Sequence, residues 1–240
     1  MKILGIESSS MVASVALLTD ELITVEYTVN YKKTHSQTLL PMIDTVASMV
    51  ELDLSELDAI AVSGGPGSFT GLRIGAATAK GLGLALDKPL IHVPTVDALA
   101  YNMYGCEGLV CPMMDARRGQ VYAGIYRMKD GMEILKPQYA ADLEELLDEL
   151  GRMGEPVVFL GDGVPVSLDV IRQSCRVNFR LAPPHMNRQR AASVAALGAM
   201  YYRAGRTESA AEHTPDYLRL SQAERELAKR NEAAKGPVGK

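Results

Sequence analysis

A chain of 240 residues with 47% hydrophobic content is long enough for one large or two small packed domains, and too apolar to be disordered. A formal net charge of -4, no Trp and 5% aromatic residues argue against a stand-alone RNA-binding module, by field or by stacked bases. Cys106, Cys111 and Cys175 are odd in number and lack metal spacing, so they read as free thiols; with no basic-then-apolar leader and no bilayer-length apolar run, the expected compartment is the cytoplasm.

Residues 2–7 predict a buried strand, 12–18 a second and 22–30 a third, with Thr19-Asp20-Glu21 as a turn. From Ser36 to Val50 the period becomes helical: Leu39, Ile43, Val46 and Val50 form one stripe, widened by Met42 and Met49. Pro41 fits a helix starting near Thr38 and otherwise marks a kink. A strand over 57–63 follows, then a glycine loop, a helix over 72–86, a short strand over 90–93 and a helix over 94–103 with Thr95 as cap. Further on, 109–114 predicts a strand ending at Asp115, a turn through Ala116-Arg117-Arg118-Gly119 and a strand over 120–127. Helices over 141–150, 165–174 and 191–202 and a strand over 157–160 complete the pattern, with Gly161-Asp162-Gly163 as a turn. A strand ending in a carboxylate, a short polar turn and another strand thus open each half, at Glu7 and again at Asp115. This predicts an internal duplication of two similar lobes. The expected bounds are 1–104, 105–205, and a segment 206–240 that packs back near Tyr217-Leu218-Arg219-Leu220 before a tail from about Arg230.

The stretch Gly64-Gly65-Pro66-Gly67-Ser68-Phe69-Thr70-Gly71-Leu72-Arg73 joins a strand to a helix. It is not a P-loop, because no register supplies Gly-Lys-Ser/Thr, and not a dinucleotide fingerprint, because Thr70 stands where the third glycine belongs. Two readings stay open. One is a tight turn with Ser68 or Thr70 capping the helix; the other is an anion cradle built on Gly65, Gly67, Ser68 and Thr70 at a helix N-terminus.

Together, Glu7-Ser8-Ser9, the decapeptide 64–73, Asp115-Ala116-Arg117-Arg118-Gly119-Gln120-Val121-Tyr122 and Tyr217-Leu218-Arg219 resemble the TsaB (YeaZ) family, most strongly over 1–126. The resemblance implies an α/β ASKHA (actin, sugar kinase, Hsp70) fold: two ribonuclease-H-like lobes with mixed sheets. It implies a noncatalytic dimerisation subunit that holds the transferase TsaD while N6-threonylcarbamoyladenosine is made at position 37 of tRNAs reading codons that begin with A. The ATPase TsaE and tRNA are reached through that complex, and a homodimer on the same face is a competing assembly. No cofactor is required; ATP or ADP at the TsaB–TsaD junction is the candidate ligand. The alternative is an active ASKHA-type nucleotide-dependent transferase or kinase.

The residues bear on that choice. Glu7 and Asp115 stand where ASKHA enzymes keep two acids around a metal–phosphate, with Glu replacing the usual Asp at the first. With Ser8, Ser9, Arg117, Arg118 and the loop they make a candidate vestigial nucleotide site. Arg117 and Arg118 either neutralise Asp115 in a solvated turn or bind an anion. His35, His92, His185 and His213 lie far apart in sequence, so no metal site is expected, and His35 reads as a cap or surface residue. No Ser-His-Asp or Cys-His set is evident from spacing.

Two helices are poor in charge, and the expectation is that they dock the partner. The first presents Leu39, Met42, Ile43, Val46, Met49 and Val50. The second presents a small-residue ridge of Gly71, Gly75, Ala79 and Gly83 flanked by Leu72, Leu82 and Leu86. Charging that face with Val46→Arg or Ala79→Glu is expected to abolish partner binding with the fold intact.

Overall fold

The computed structural model describes residues 1–32 and 34–218; the expected tail, with Arg219, lies outside them. Strands β1 (Lys2–Glu7), β2 (Val12–Thr19), β3 (Leu22–Asn30), β4 (Ala59–Gly65) and β5 (Leu90–Pro94) form one sheet in the order β3-β2-β1-β4-β5. Strands β6 (Leu109–Asp115), β7 (Gln120–Arg127), β8 (Glu133–Asp142), β9 (Val157–Leu160) and β10 (Phe179–Leu181) form a second, in the order β10-β9-β6-β7-β8. Read from its other edge, the second sheet repeats the first. In each, the opening three strands pair antiparallel and the later two join in parallel.

Helices fall at matching points: α1 (His35–Met49), α2 (Phe69–Leu86) and α3 (Thr95–Tyr101) in the first half, α4 (Leu143–Met153), α5 (Gly163–Ser174) and α6 (Ala191–Arg203) in the second. The duplication expected from two strand-end carboxylates is therefore present throughout. The chain has the two-lobed α/β ASKHA architecture.

Burial explains why some strands were legible and others not. Central strand β1 is covered on both faces and reads as a continuous apolar run. Edge strands β8 and β10 are half-exposed, carry no clear periodicity, and were not anticipated. The β8 interior also contains Pro137, which an edge tolerates and a central strand does not.

The last helix of each half crosses the expected lobe boundary. Helix α6 lies in the 105–205 span, yet Val194, Ala195 and Leu197 pack on Ile3, Ala59, Ala61, Ile91 and Val93 of the first sheet. Its Ala-rich composition follows from that closeness. A Cβ on Gly198 would stand 2.5 Å from that of Ala61, and one on Gly5 would stand 2.5 Å from the Ala191 carbonyl. Helix α3 lies in the 1–104 span, yet Val96, Leu99 and Ala100 pack with Val110, Met114 and Tyr126 of the second sheet.

Helices α1 and α2 cover the opposite face of the first sheet, which corrects the reading of their apolar surface. Leu39, Met42, Ile43, Val46 and Ala79 pack in one core with Leu4, Ile6, Val15, Ile60 and Val62. Leu72, Gly75 and Gly83 are buried too, and Val50, Leu82 and Leu86 are partly buried at its margin. Of the expected docking side chains, Met49 alone is exposed, at 70%. The small-residue ridge faces inward: a Cβ on Gly75 would meet Ser8 Oγ at 2.2 Å, and one on Gly83 would meet Leu90 and Lys88 at 3.0 Å. A 100° sector per residue fixes one apolar stripe, but the sequence does not say whether sheet or partner covers it.

Candidate functional site

A cleft of about 500 Å³ opens where the two halves' strand ends converge. Its walls come from three places: Ser9 and Ser10 after β1, the loop Pro66 to Phe69 after β4, and Asp115 to Arg117 after β6. Asp162 after β9 and the segment Asp216 to Leu218 close it.

Glu7 ends β1 and is fully buried behind the cleft. Ser9 donates both its backbone N–H, at 2.6 Å, and its hydroxyl, at 2.5 Å, to Glu7 Oε1. Glu7 Oε2 has no partner among the described residues. Burial pushes the carboxyl up from 4.5 to about 7, with the Ser9 hydrogen bonds offsetting part of the effect.

Asp115 ends β6 and is satisfied locally. Its Oδ1 accepts the Arg117 N–H at 2.8 Å and its Oδ2 pairs with Arg117 Nη1 at 3.1 Å. Arg117 and Arg118 sit in the left-handed region, at φ 66° and 59°, and both are exposed. The geometry is that of a solvated turn with its own ion pair, which holds little energy. Arg118 and Thr70 are not part of the cleft wall.

The glycine loop is packed by its own chain. A Cβ on Gly67 would stand 2.3 Å from the Ser9 carbonyl, one on Gly71 would stand 2.1 Å from the Ser8 carbonyl, and one on Gly64 would enter the His92 imidazole. Ser68 N–H donates to Ser9 O at 2.6 Å, Ser8 Oγ donates to Gly71 O at 2.9 Å, and Asp216 N–H donates to Gly64 O at 2.6 Å. Only Gly65, at φ 118°, also demands glycine for its backbone conformation. Ser68 caps α2 through the Gly71 N–H, resolving the choice between Ser68 and Thr70. Close backbone approach, expected for a phosphate, is here used to seat the Ser8-Ser9 turn and the C-terminal strap. Gly71→Ala is expected to destabilise the chain by about 1–3 kcal/mol in urea unfolding, because backbone must move to admit the methyl group. Gly81→Ala, where the added Cβ meets nothing within 4 Å, should stabilise by about 0.5–1 kcal/mol.

Two acids of the site were not expected from the sequence. Asp162 lies between two glycines after β9, and its Oδ1 is buried and unpartnered among the described residues. Burial raises its carboxyl, offset in part by the Asp115 backbone and the charge of Arg188. The duplication held the clue, since β9 corresponds to β4 and the turn 161–163 to the glycine loop. Asp216 had no local signal; residues 206–217 reach the cleft along the sheet edge, where Glu208 pairs with Leu90 and Lys80 binds the Ala211 and His213 carbonyls. Tyr217 lies 4.7 Å from Phe69 between ring centroids, with its hydroxyl accepting from Arg73 Nε at 3.4 Å. Asp115, Asp162 and Asp216 thus line one acidic cleft with Arg117. A phosphate would enter with a divalent cation more readily than alone.

The histidines are not all isolated. His35 Nε2 is 2.8 Å from the Ser10 carbonyl, tying α1 to the serine turn. His92 and His213, 121 positions apart by number, lie with ring centroids 5.8 Å apart and Glu208 beside them. The fold brings these two histidines together although they stand far apart in sequence.

The family model described as "TsaD: tRNA N6-adenosine threonylcarbamoyltransferase" matches residues 25–234. The tRNA threonylcarbamoyladenosine biosynthesis protein TsaB of Bacillus subtilis (strain 168) is 34% identical over 227 residues, covering 93% of this chain and 96% of that one. YeaZ from Pseudomonas aeruginosa superposes with a TM-score of 0.75 at 26% identity, covering 90% of this chain and 99% of that one. An activator of 2-hydroxyisocaproyl-CoA dehydratase from Clostridium difficile shares the fold, with a TM-score of 0.51 at 11% identity over 85% of this chain and 97% of that one.

Proposed function

We propose a function from the premise that the chain belongs to the TsaB (YeaZ) family, within the wider family described by the TsaD model. It serves tRNA threonylcarbamoyladenosine biosynthesis. Within that process it acts as a noncatalytic cytoplasmic subunit that binds and supports TsaD, and it meets TsaE and tRNA through the complex. No described helix is long and apolar enough to cross a membrane.

The observation that carries the scaffold reading is the outward face of α2. Arg73, Ala77, Gly81, Leu84 and Ala85 lie on one exposed side, and Leu84 is 67% exposed. Ala77, Gly81 and Ala85 repeat every four residues, so a second small-residue ridge runs parallel to the buried one. It admits another helix to close approach. Leu40, 56% exposed, and Met49 add apolar surface on α1. A second copy of the chain would use the same face.

Gly81→Arg tests this without touching the core. The added side chain meets open space, and Arg is the better helix former, so the melting temperature should not fall. TsaD captured by the tagged variant should drop at least about tenfold, the loss of one interfacial contact worth 1.4 kcal/mol or more. Equal capture by variant and parent would remove α2 as the docking face.

The acidic cleft favours a second reading in which Mg–ATP or Mg–ADP binds there and regulates assembly. Isothermal titration of the isolated chain with Mg–ADP checks it, and nucleotide turnover by that chain would favour an active transferase or kinase.

A further inference from the structure

Beyond the cleft, residues 206–217 form a strap along the edge of the first sheet. Leu90 and Glu208 exchange backbone hydrogen bonds at 2.9 and 3.0 Å. Lys80 Nζ donates to the carbonyls of Ala211, at 3.1 Å, and His213, at 2.9 Å. These contacts carry the His213 side chain into full burial opposite His92 on β5.

The cluster has the chemistry of a metal site. One donor atom each from His92, Glu208 and His213 can be chosen so that all lie within 4.8 Å of one another. Glu208 Oε1 is 2.6 Å from His213 Nδ1, and Asp216 Oδ2 is 3.2 Å from His92 Nε2. His213 Nε2 is buried and has no partner among the described residues. Leaving such an atom unpaired costs about 1–3 kcal/mol, so its burial calls for a partner. Two imidazoles and a carboxylate suit a borderline divalent ion, with about 2.0–2.2 Å to each ligand. Small side-chain rotations bring donors at the observed spacing to that distance. Two carboxylates and two neutral imidazoles together balance one divalent charge. His92 and Glu208 also line a surface cavity of about 380 Å³, which gives an ion a way in.

We propose that His92, Glu208 and His213, with Asp216 at hand, bind Zn²⁺ and thereby staple the 206–217 strap to the sheet edge and glycine loop. His92 lies flat on Gly64, and the strap supplies Asp216 and Tyr217 to the cleft wall. Metal occupancy therefore sets the shape of that wall.

The test uses the untagged full-length chain, stripped with chelator, loaded with ZnCl₂ and desalted. Elemental analysis should find one zinc per chain, and Co²⁺ loading should give visible d–d bands. His92→Ala and Glu208→Gln should each weaken Zn²⁺ affinity at least about 100-fold, whereas His185→Ala, at an exposed position, should not. Hydrogen exchange at the Leu90 and Glu208 amides should slow at least about tenfold on zinc loading. Should His213→Ala fail to fold, the His92 and Glu208 variants still decide. A folded parent that retains no zinc overturns the proposal, as does stoichiometric zinc unaffected by both His92→Ala and Glu208→Gln.

Discussion

Val46→Arg unfolds the first lobe, whereas Ala77→Arg leaves it folded. Val46 is 0% exposed, at the centre of α1, among Leu4, Ile6, Val15, Ile60 and Val62. These neighbours are all apolar, so an arginine there is a charge buried among hydrocarbon side chains. The lost valine packing and the desolvated guanidinium together cost at least about 4 kcal/mol, a large part of the 5–15 kcal/mol that holds a typical domain together. An arginine at Ala77, on the exposed side of α2, reaches water directly. Urea unfolding followed by circular dichroism distinguishes the two: the Val46 variant should show no cooperative transition near the parent midpoint, and the Ala77 variant should match the parent. A cooperative Val46→Arg protein of parental stability would mean that the sheet does not cover α1. Loss of TsaD binding in a Val46 variant would thus report misfolding, and only outward positions such as Ala77 and Gly81 report docking.

Glu7→Gln stabilises the protein, and the gain grows with pH. The Glu7 carboxyl is raised by burial from 4.5 to about 7, so the folded chain holds the proton more tightly than the unfolded one. Below about pH 4.5 both states are protonated and the stability is fully present. As pH rises through 7 the unfolded chain has already ionised, and the folded chain must then bury a charge. The stability lost over that window is on the order of 3 kcal/mol. Glutamine keeps an oxygen to accept from both Ser9 donors and carries no proton to lose. Melting temperatures of parent and Glu7→Gln should agree near pH 4.5 and diverge steadily to pH 8.5, with the variant the higher. Parallel curves across that range would show that Glu7 ionises in place without penalty. The experiment also bears on the cleft: a Mg–ADP complex that recruits the Glu7 carboxylate should bind parent more tightly than Glu7→Gln.

Much of the site was legible because its signals are local. The carboxylate at each strand end, the serine turn and the glycine decapeptide are runs of adjacent residues, and the same stretch narrows the helix cap to Ser68 or Thr70. The meaning of the glycines was not legible. Gly67 and Gly71 are needed because Ser9 and Ser8, some sixty positions earlier, press carbonyls against them. Nothing in a loop's own sequence separates a glycine that admits a phosphate from one that admits another part of the chain.

By itself, the sequence determined the strand, carboxylate, turn and strand that open each half, the central strands, and the two helices that are poor in charge. Each of these is written in hydrophobic periodicity and turn residues over ten or so positions. The tertiary structure alone decided which side of α1 and α2 faces water, since a helix stripe is equally suited to a sheet or a partner. It also decided that α3 and α6 cross between lobes, that Asp162 and Asp216 join the cleft, and that His92 meets His213. These depend on contacts between residues far apart along the chain, such as the pairing of Glu208 with Leu90 that places the strap.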